Sequence, residues 1–74
     1  MEDNDGIRKL SAEDVPDLDD ADIGPSERYY CRIFVEDTWG GWRQISCSGD
    51  VPSENACAAK VPQGGAYGWT RRPC

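Results

Sequence analysis

Four cysteines, Cys31, Cys47, Cys57 and Cys74, all lie within the last 47 residues of a 74-residue chain. A domain of that size buries too little apolar surface to be secure without cross-links. The cysteines are widely spaced and the chain has no histidine, whereas structural zinc sites usually bring two ligands from one tight turn. We therefore predict disulfides rather than a zinc site, and we predict no metal or other cofactor.

Two segments of this region have the composition of β-strands. Residues 28–36 and 42–48 are rich in aromatic and β-branched residues, and a short loop with Gly40 and Gly41 separates them. Glycines in such a loop can adopt a positive φ, which favours a β-hairpin. A third strand is predicted over residues 66–71, where Tyr67, Trp69 and Arg71 alternate with other residues.

A short helix is predicted between the hairpin and the third strand. Ser53 is a favourable N-cap, Glu54 and Lys60 complement the helix dipole, and Pro62 follows the end of the segment. The fold class is therefore a small disulfide-rich, mainly β domain, with an antiparallel hairpin, a third strand and one short helix.

The pairing of the cysteines follows from the hairpin register, if that register is regular. Placing Glu36 opposite Trp42 brings Ile33 opposite Ile45 and Cys31 opposite Cys47. Four cysteines allow three pairings. This register favours Cys31–Cys47 and leaves Cys57–Cys74 as the second disulfide.

Residues 1–27 differ from the rest of the chain in composition. They contain ten acidic and two basic residues, no cysteine and no aromatic residue. High charge with few apolar side chains does not offset the conformational entropy lost on folding. We expect a disordered acidic arm or leader over residues 1–27 and a folded domain over residues 28–74.

The composition argues against catalysis. The absence of histidine removes the commonest general base and nucleophile activator. The segment 28–74 has only four carboxylates, and no nucleotide-binding or hydrolase motif is present. We predict that the protein is not an enzyme.

The candidate binding residues are aromatic or arginine side chains, the types that dominate binding hot spots. Trp39 is the strongest candidate because a tryptophan at the tip of a hairpin is difficult to bury. The full predicted set is Trp39, Trp42, Tyr67, Trp69, Arg71 and Arg72. The alternative for Trp42 and Trp69, and also for Trp39, is that they form the core, and Arg71 and Arg72 can equally be a solvated end.

These residues favour a small protein that binds another macromolecule, as inhibitors, toxins and effectors do. Two alternatives remain open at this stage. One is a precursor peptide with an acidic leader and a Cys/Ser/Thr core that is modified after synthesis. The other is a carbohydrate-binding module that uses the tryptophan rings.

The partner is predicted to be a protein, and the free chain is predicted to be a monomer. Direct binding of nucleic acid is not expected, because the net charge is −6 and phosphate would be repelled. No segment is long and apolar enough to span a membrane. Disulfides predict a secreted or periplasmic location, although residues 1–27 lack the features of a signal peptide.

Overall fold

A four-stranded sheet with one helix forms the fold in a computed structural model, which describes residues 7–24 and 28–74. The strands are β1 (Arg8–Lys9), β2 (Tyr30–Glu36), β3 (Trp42–Ser48) and β4 (Ala66–Thr70), and the helix α1 spans Glu54–Ala59. The strand order in the sheet is β1-β4-β2-β3. The predicted mainly β class, hairpin, third strand and helix are confirmed.

The local signals in the sequence fall where the elements begin and end. The Ser53 side chain caps α1 by accepting a hydrogen bond from the main-chain N–H of Ala56 at 3.2 Å. Strand β3 has the predicted bounds, and β2 and β4 are shorter than predicted by one or two residues. These elements follow from short-range sequence patterns, which explains why they could be predicted.

The sheet is covered on both faces, and the alternation of side chains along each strand separates two clusters. Ile33 and Tyr67 belong to the cluster that includes the helix residue Cys57. Their chain neighbours Phe34 and Ala66 belong to the other cluster, with Leu10 and Leu18 of the N-terminal segment. We refer to these as the helix face and the N-terminal face.

Residues 7–24, which belong to the disordered acidic arm predicted from the sequence, lie against the sheet in the structure. Strand β1 pairs in parallel with β4, and Leu10 and Leu18 are buried. A short 3-10 turn over Pro16–Leu18 directs Leu18 to the sheet. The sheet supplies the apolar surface on which Leu10 and Leu18 pack. The parts of that prediction on residues 1–6 and 25–27 lie outside the described residues.

All four cysteines form disulfides, as predicted, but the preferred pairing is wrong. The bonds are Cys31–Cys57 and Cys47–Cys74. The reason is a β-bulge in the hairpin: Phe34 lies opposite Gln44 and Ile33 lies opposite Ser46. Ile45 is therefore an extra residue on β3, and Cys47 lies opposite Arg32 rather than Cys31. The bulge turns Cys31 and Cys47 to different faces.

The two disulfides bear on the redox conditions in which the protein is found. Two disulfides are consistent with an oxidising extracellular or periplasmic environment. Within residues 7–24 and 28–74, no helix has the length and apolar character to cross a membrane.

Candidate functional site at the hairpin tip

The loop between β2 and β3, residues 37–41, is a tight turn closed by main-chain hydrogen bonds. The main-chain N–H of Gly40 donates to the carbonyl of Asp37 at 3.1 Å, and the N–H of Asp37 donates to the carbonyl of Gly41 at 2.9 Å. Gly40 has a φ of 86°, a conformation that side chains disfavour. This is the arrangement in which a type I turn is followed by a left-handed glycine.

The Asp37 side chain stabilises the same loop through hydrogen bonds to its main chain. Its Oδ1 accepts hydrogen bonds from the main-chain N–H groups of Trp39, at 2.8 Å, and Gly41, at 3.0 Å. Aspartate favours turns because its short side chain can bond to the backbone in this way. Four hydrogen bonds therefore fix the main chain on both sides of Trp39.

The Trp39 side chain is 92 % exposed, although its main chain is fixed. It is the most exposed of the large hydrophobic side chains in the described part of the chain, well above Ile45 at 50 % and Tyr29 at 40 %. An indole in this position contributes little to the fold. The arrangement presents a large, flat apolar group on a rigid support.

Tyr67 and Trp69 lie on the helix face of β4. Tyr67 is buried in the core, and its hydroxyl donates to Glu54 at 2.9 Å. Trp69 is partly buried and stacks on Tyr29, with ring centroids 5.4 Å apart and planes 5° apart. Of these two predicted binding residues, Trp69 has the more accessible ring, and Tyr67 is mainly a core residue.

Trp42 lies on the N-terminal face, away from Trp69. It is partly buried against the cluster of Leu10, Leu18, Phe34 and Ala66. The guanidinium of Arg8 lies 5.9 Å from the centre of its ring, within range of a cation–π contact. The structure therefore does not bring the three tryptophans together on one surface.

Arg71 and Arg72 are partly buried and bind the N-terminal segment. The Arg71 main-chain N–H and Nε both donate to Asp20 Oδ2, at 3.1 and 3.3 Å. These contacts lower the pKa of Asp20 below its usual value. Arg72 Nε donates to the carbonyl of Asp19 at 2.9 Å. Both arginines have intramolecular roles that the sequence did not indicate.

Three exposed residues were not among the binding residues predicted from the sequence. Ile45 is half exposed because it is the bulge residue, and a bulge has no clear signal in a single sequence. Tyr29 is exposed at the edge of its stack with Trp69. Arg43, between Trp42 and the bulge, is exposed on β3. For Arg43, the only signal in the sequence was its position on a predicted strand next to Trp42.

A partly buried polar cluster on the helix face joins Tyr67, Glu54 and Lys9. Glu54 accepts from Tyr67 and pairs with Lys9 at 2.7 Å. Lys9 and Tyr67 lower the pKa of Glu54, while burial and Glu54 raise the pKa of Tyr67 to about 12. In residues 7–24 and 28–74, no group of three or more potential ligands is placed to hold a metal ion.

Comparison with protein-family models, with curated proteins and with solved structures finds no match to this chain.

Proposed function

We propose that the protein is a small non-enzymatic binding protein that recognises another protein with the Trp39 side chain at the tip of the β2–β3 hairpin. Its mode of action would be that of an inhibitor, toxin or effector, which acts by occupying a surface of its partner. The observation that supports this proposal is the combination of a 92 % exposed indole with a hydrogen-bonded loop.

The energetic argument is that Trp39 has more apolar surface to lose on a partner than it buries in the free protein. Tryptophan is among the residues most enriched at binding hot spots, where removing one side chain costs about 2 kcal/mol or more. The loop around it is already ordered, by Asp37 and Gly40. Binding therefore requires little further loss of main-chain entropy.

The disulfides support the same proposal because they cross-link both strands of the hairpin that carries Trp39. Cys31–Cys57 links β2, the first strand of the hairpin, to α1. Cys47–Cys74 ties β3 to the end of the described chain. Both strands of the hairpin are thus cross-linked to the body, and the tip projects from a rigid base. A secreted or periplasmic location is part of the proposal, because such bonds persist in oxidising compartments.

The test begins with the oxidised full-length chain immobilised and exposed to extracellular fluid from the producing organism. A captured protein is then purified, and its affinity is measured for the wild type and for Trp39→Ala. The matched control is Thr38→Ala, which alters the exposed neighbouring residue of the same loop. We expect Trp39→Ala to weaken binding by about thirtyfold, the equivalent of a hot spot, and Thr38→Ala to leave it within about twofold.

Two results would refute the proposal. One is a purified partner that binds Trp39→Ala as tightly as the wild type. The other is the absence of any saturable protein partner together with binding to polysaccharide, which would favour a carbohydrate-binding module. Circular dichroism of each variant separates a lost contact from a lost fold.

A further inference from the structure

The two disulfides lie in different surroundings. Cys31 and Cys57 are 1 % and 0 % exposed and belong to the core cluster of the helix face. Cys47 is partly exposed and Cys74 is exposed. A reductant in solution therefore reaches Cys47–Cys74 in the native protein, whereas it reaches Cys31–Cys57 only if the core opens.

A buried arginine lies directly opposite Cys47. Arg32 is 6 % exposed, and its partner across the β2–β3 pair is Cys47. Its Nη2 donates to the carbonyls of Arg72, at 3.1 Å, and Pro73, at 2.9 Å. These bonds hold the main chain immediately before Cys74, so that the guanidinium lies beneath the segment closed by the disulfide.

The charge of Arg32 is not balanced by an anion in the described part of the chain. No carboxylate of residues 7–24 or 28–74 forms a salt bridge with it. Its Nη1 makes a long hydrogen bond, 3.4 Å, to the neutral amide of Gln44, and its Nε is buried with no partner among the described residues. Buried charges in proteins are usually paired, because an unpaired one is costly.

The group best placed to supply the missing negative charge is the sulfur of Cys47. Arg32 and Cys47 are opposed across β2 and β3, where Cβ atoms are about 4.5–5.5 Å apart, and the Arg32 guanidinium bonds to the carbonyl of Pro73, the residue before Cys74. The sulfur is neutral in the disulfide. In the reduced protein it can ionise, and a neighbouring arginine favours the thiolate over the thiol.

The geometry points to Cys47–Cys74 as a redox site that a dithiol reductant opens in preference to Cys31–Cys57, with Arg32 stabilising the Cys47 thiolate that is formed. This inference is independent of the binding function proposed for Trp39. It assigns a role to a buried guanidinium that has no carboxylate partner among the described residues.

The reaction is thiol–disulfide exchange. A thiolate of the dithiol attacks Sγ of Cys74, the more exposed of the two residues, and Cys47 leaves as a thiolate opposite Arg32. The second thiol of the reductant then attacks the mixed disulfide and releases Cys74. The reductant becomes a disulfide and gives up two electrons and two protons. Cys74 takes one of the protons, and the other passes to solvent. A stabilised leaving thiolate speeds the first step and favours the reduced state.

Opening this bond is expected to loosen the N-terminal segment. The released chain end carries Arg71 and Arg72, which hold Asp20 and the carbonyl of Asp19. Cys31–Cys57 stays closed and keeps α1 on the sheet. Reduction would thus change the N-terminal face and leave the helix face intact.

The first experiment titrates the oxidised full-length protein with dithiothreitol, followed by rapid alkylation and peptide mass spectrometry. We expect a species alkylated at Cys47 and Cys74, with Cys31–Cys57 intact, to be the main form over at least about a tenfold range of reductant. Hydrogen exchange of this species should be faster in residues 10–24 and unchanged in α1. Simultaneous opening of both bonds, or earlier opening of Cys31–Cys57, would overturn the inference.

The second experiment tests Arg32 through the pH dependence of alkylation in the singly reduced protein. We expect the midpoint for Cys47 to lie about one pH unit or more below that for Cys74 in the same molecule. Arg32→Gln should remove this difference and raise the dithiol ratio needed for half reduction about tenfold, whereas Arg32→Lys should retain most of it. Equal midpoints for the two cysteines of the wild type would refute the role of Arg32, even if Arg32→Gln failed to fold.

Discussion

The side-chain hydroxyl of Thr70 donates a hydrogen bond of 2.9 Å to the main-chain oxygen of Leu18, and both residues are buried. The bond joins the last residue of β4 to the acidic N-terminal segment. It also satisfies a carbonyl that would otherwise be left without a partner next to the sheet. The acidic segment is therefore held by specific contacts and not only by the two apolar side chains that it buries.

Replacing Thr70 with valine tests this bond with little change of shape. Thr70→Val removes the donor to the buried Leu18 carbonyl and also the acceptor of the Arg72 main-chain N–H. Leaving the buried carbonyl without its donor costs about 1–3 kcal/mol. We expect the free energy of unfolding, measured by urea denaturation of the oxidised protein, to fall by that amount. Thr38→Val, in the exposed hairpin loop, should change it by less than about 0.5 kcal/mol. Equal effects of the two substitutions would contradict the role of the bond.

A close contact between Gly68 and Leu18 leads to a second prediction. A Cβ added at Gly68 would lie 2.5 Å and 2.9 Å from the two methyl carbons of Leu18. Gly68→Ala should therefore displace Leu18 and destabilise the protein by about 1–3 kcal/mol. Gly24→Ala is the control, because a Cβ there meets no atom of residues 7–24 or 28–74 within 4 Å.

A double-mutant cycle distinguishes this clash from a general effect of alanine in the strand. Leu18→Ala alone should cost about 2–5 kcal/mol through the cavity that it leaves. In the Leu18→Ala background, Gly68→Ala should cost much less than in the wild type, because the clashing methyl groups are gone. Additive effects in urea denaturation would show that the two residues are not in contact.

The hairpin and the helix could be predicted because their causes are local. The glycines of the loop, the β-branched and aromatic residues of β2 and β3, and the Ser53 cap each act over a few residues of sequence. Trp39 was identified as an exposed candidate for the same reason, since a loop tip is exposed wherever the hairpin packs. These features do not depend on which elements meet in the folded protein.

The disulfide pairing and the N-terminal docking depend on contacts between distant residues. One extra residue, Ile45, reverses the face on which Cys47 lies. A register counted without this bulge places Cys47 on the same face as Cys31. Leu10 and Leu18 look sparse within their own segment, but β2 and β4 supply the apolar partners Phe34 and Ala66. The composition of the N-terminal segment describes that segment alone, whereas the burial of its leucines depends on the sheet surface against which they pack.

The left-handed glycine of the hairpin tip gives a prediction for the candidate site. Gly40 has a φ of 86°, and a Cβ there would meet none of the described atoms within 4 Å, so that Gly40→Ala introduces backbone strain without a clash among them. We expect a loss of about 1–2 kcal/mol in the free energy of unfolding. Gly41→Ala should cost less, because Gly41 is not left-handed and its nearest contact would be Asp37 at 3.6 Å. Thermal unfolding of both variants checks the order, and a larger loss for Gly41→Ala would contradict it.

Tyr67 is expected to make stability fall at alkaline pH. Burial, followed by the hydrogen bond to Glu54, raises its pKa from 10.0 to about 12. A pKa that is higher in the folded state means that the protonated phenol stabilises the fold. This stabilisation is complete below the unfolded-state pKa of about 10 and is lost as the pH rises through about 12.

Tyr67→Phe should cost about 1 kcal/mol at neutral pH, through the lost hydrogen bond. The difference in unfolding free energy between wild type and variant should then shrink between pH 10 and 12. Urea denaturation across this range measures the difference, and phenolate absorbance follows the ionisation of Tyr67 directly. A difference that stays constant with pH would show that Tyr67 ionises equally easily in the folded and unfolded protein.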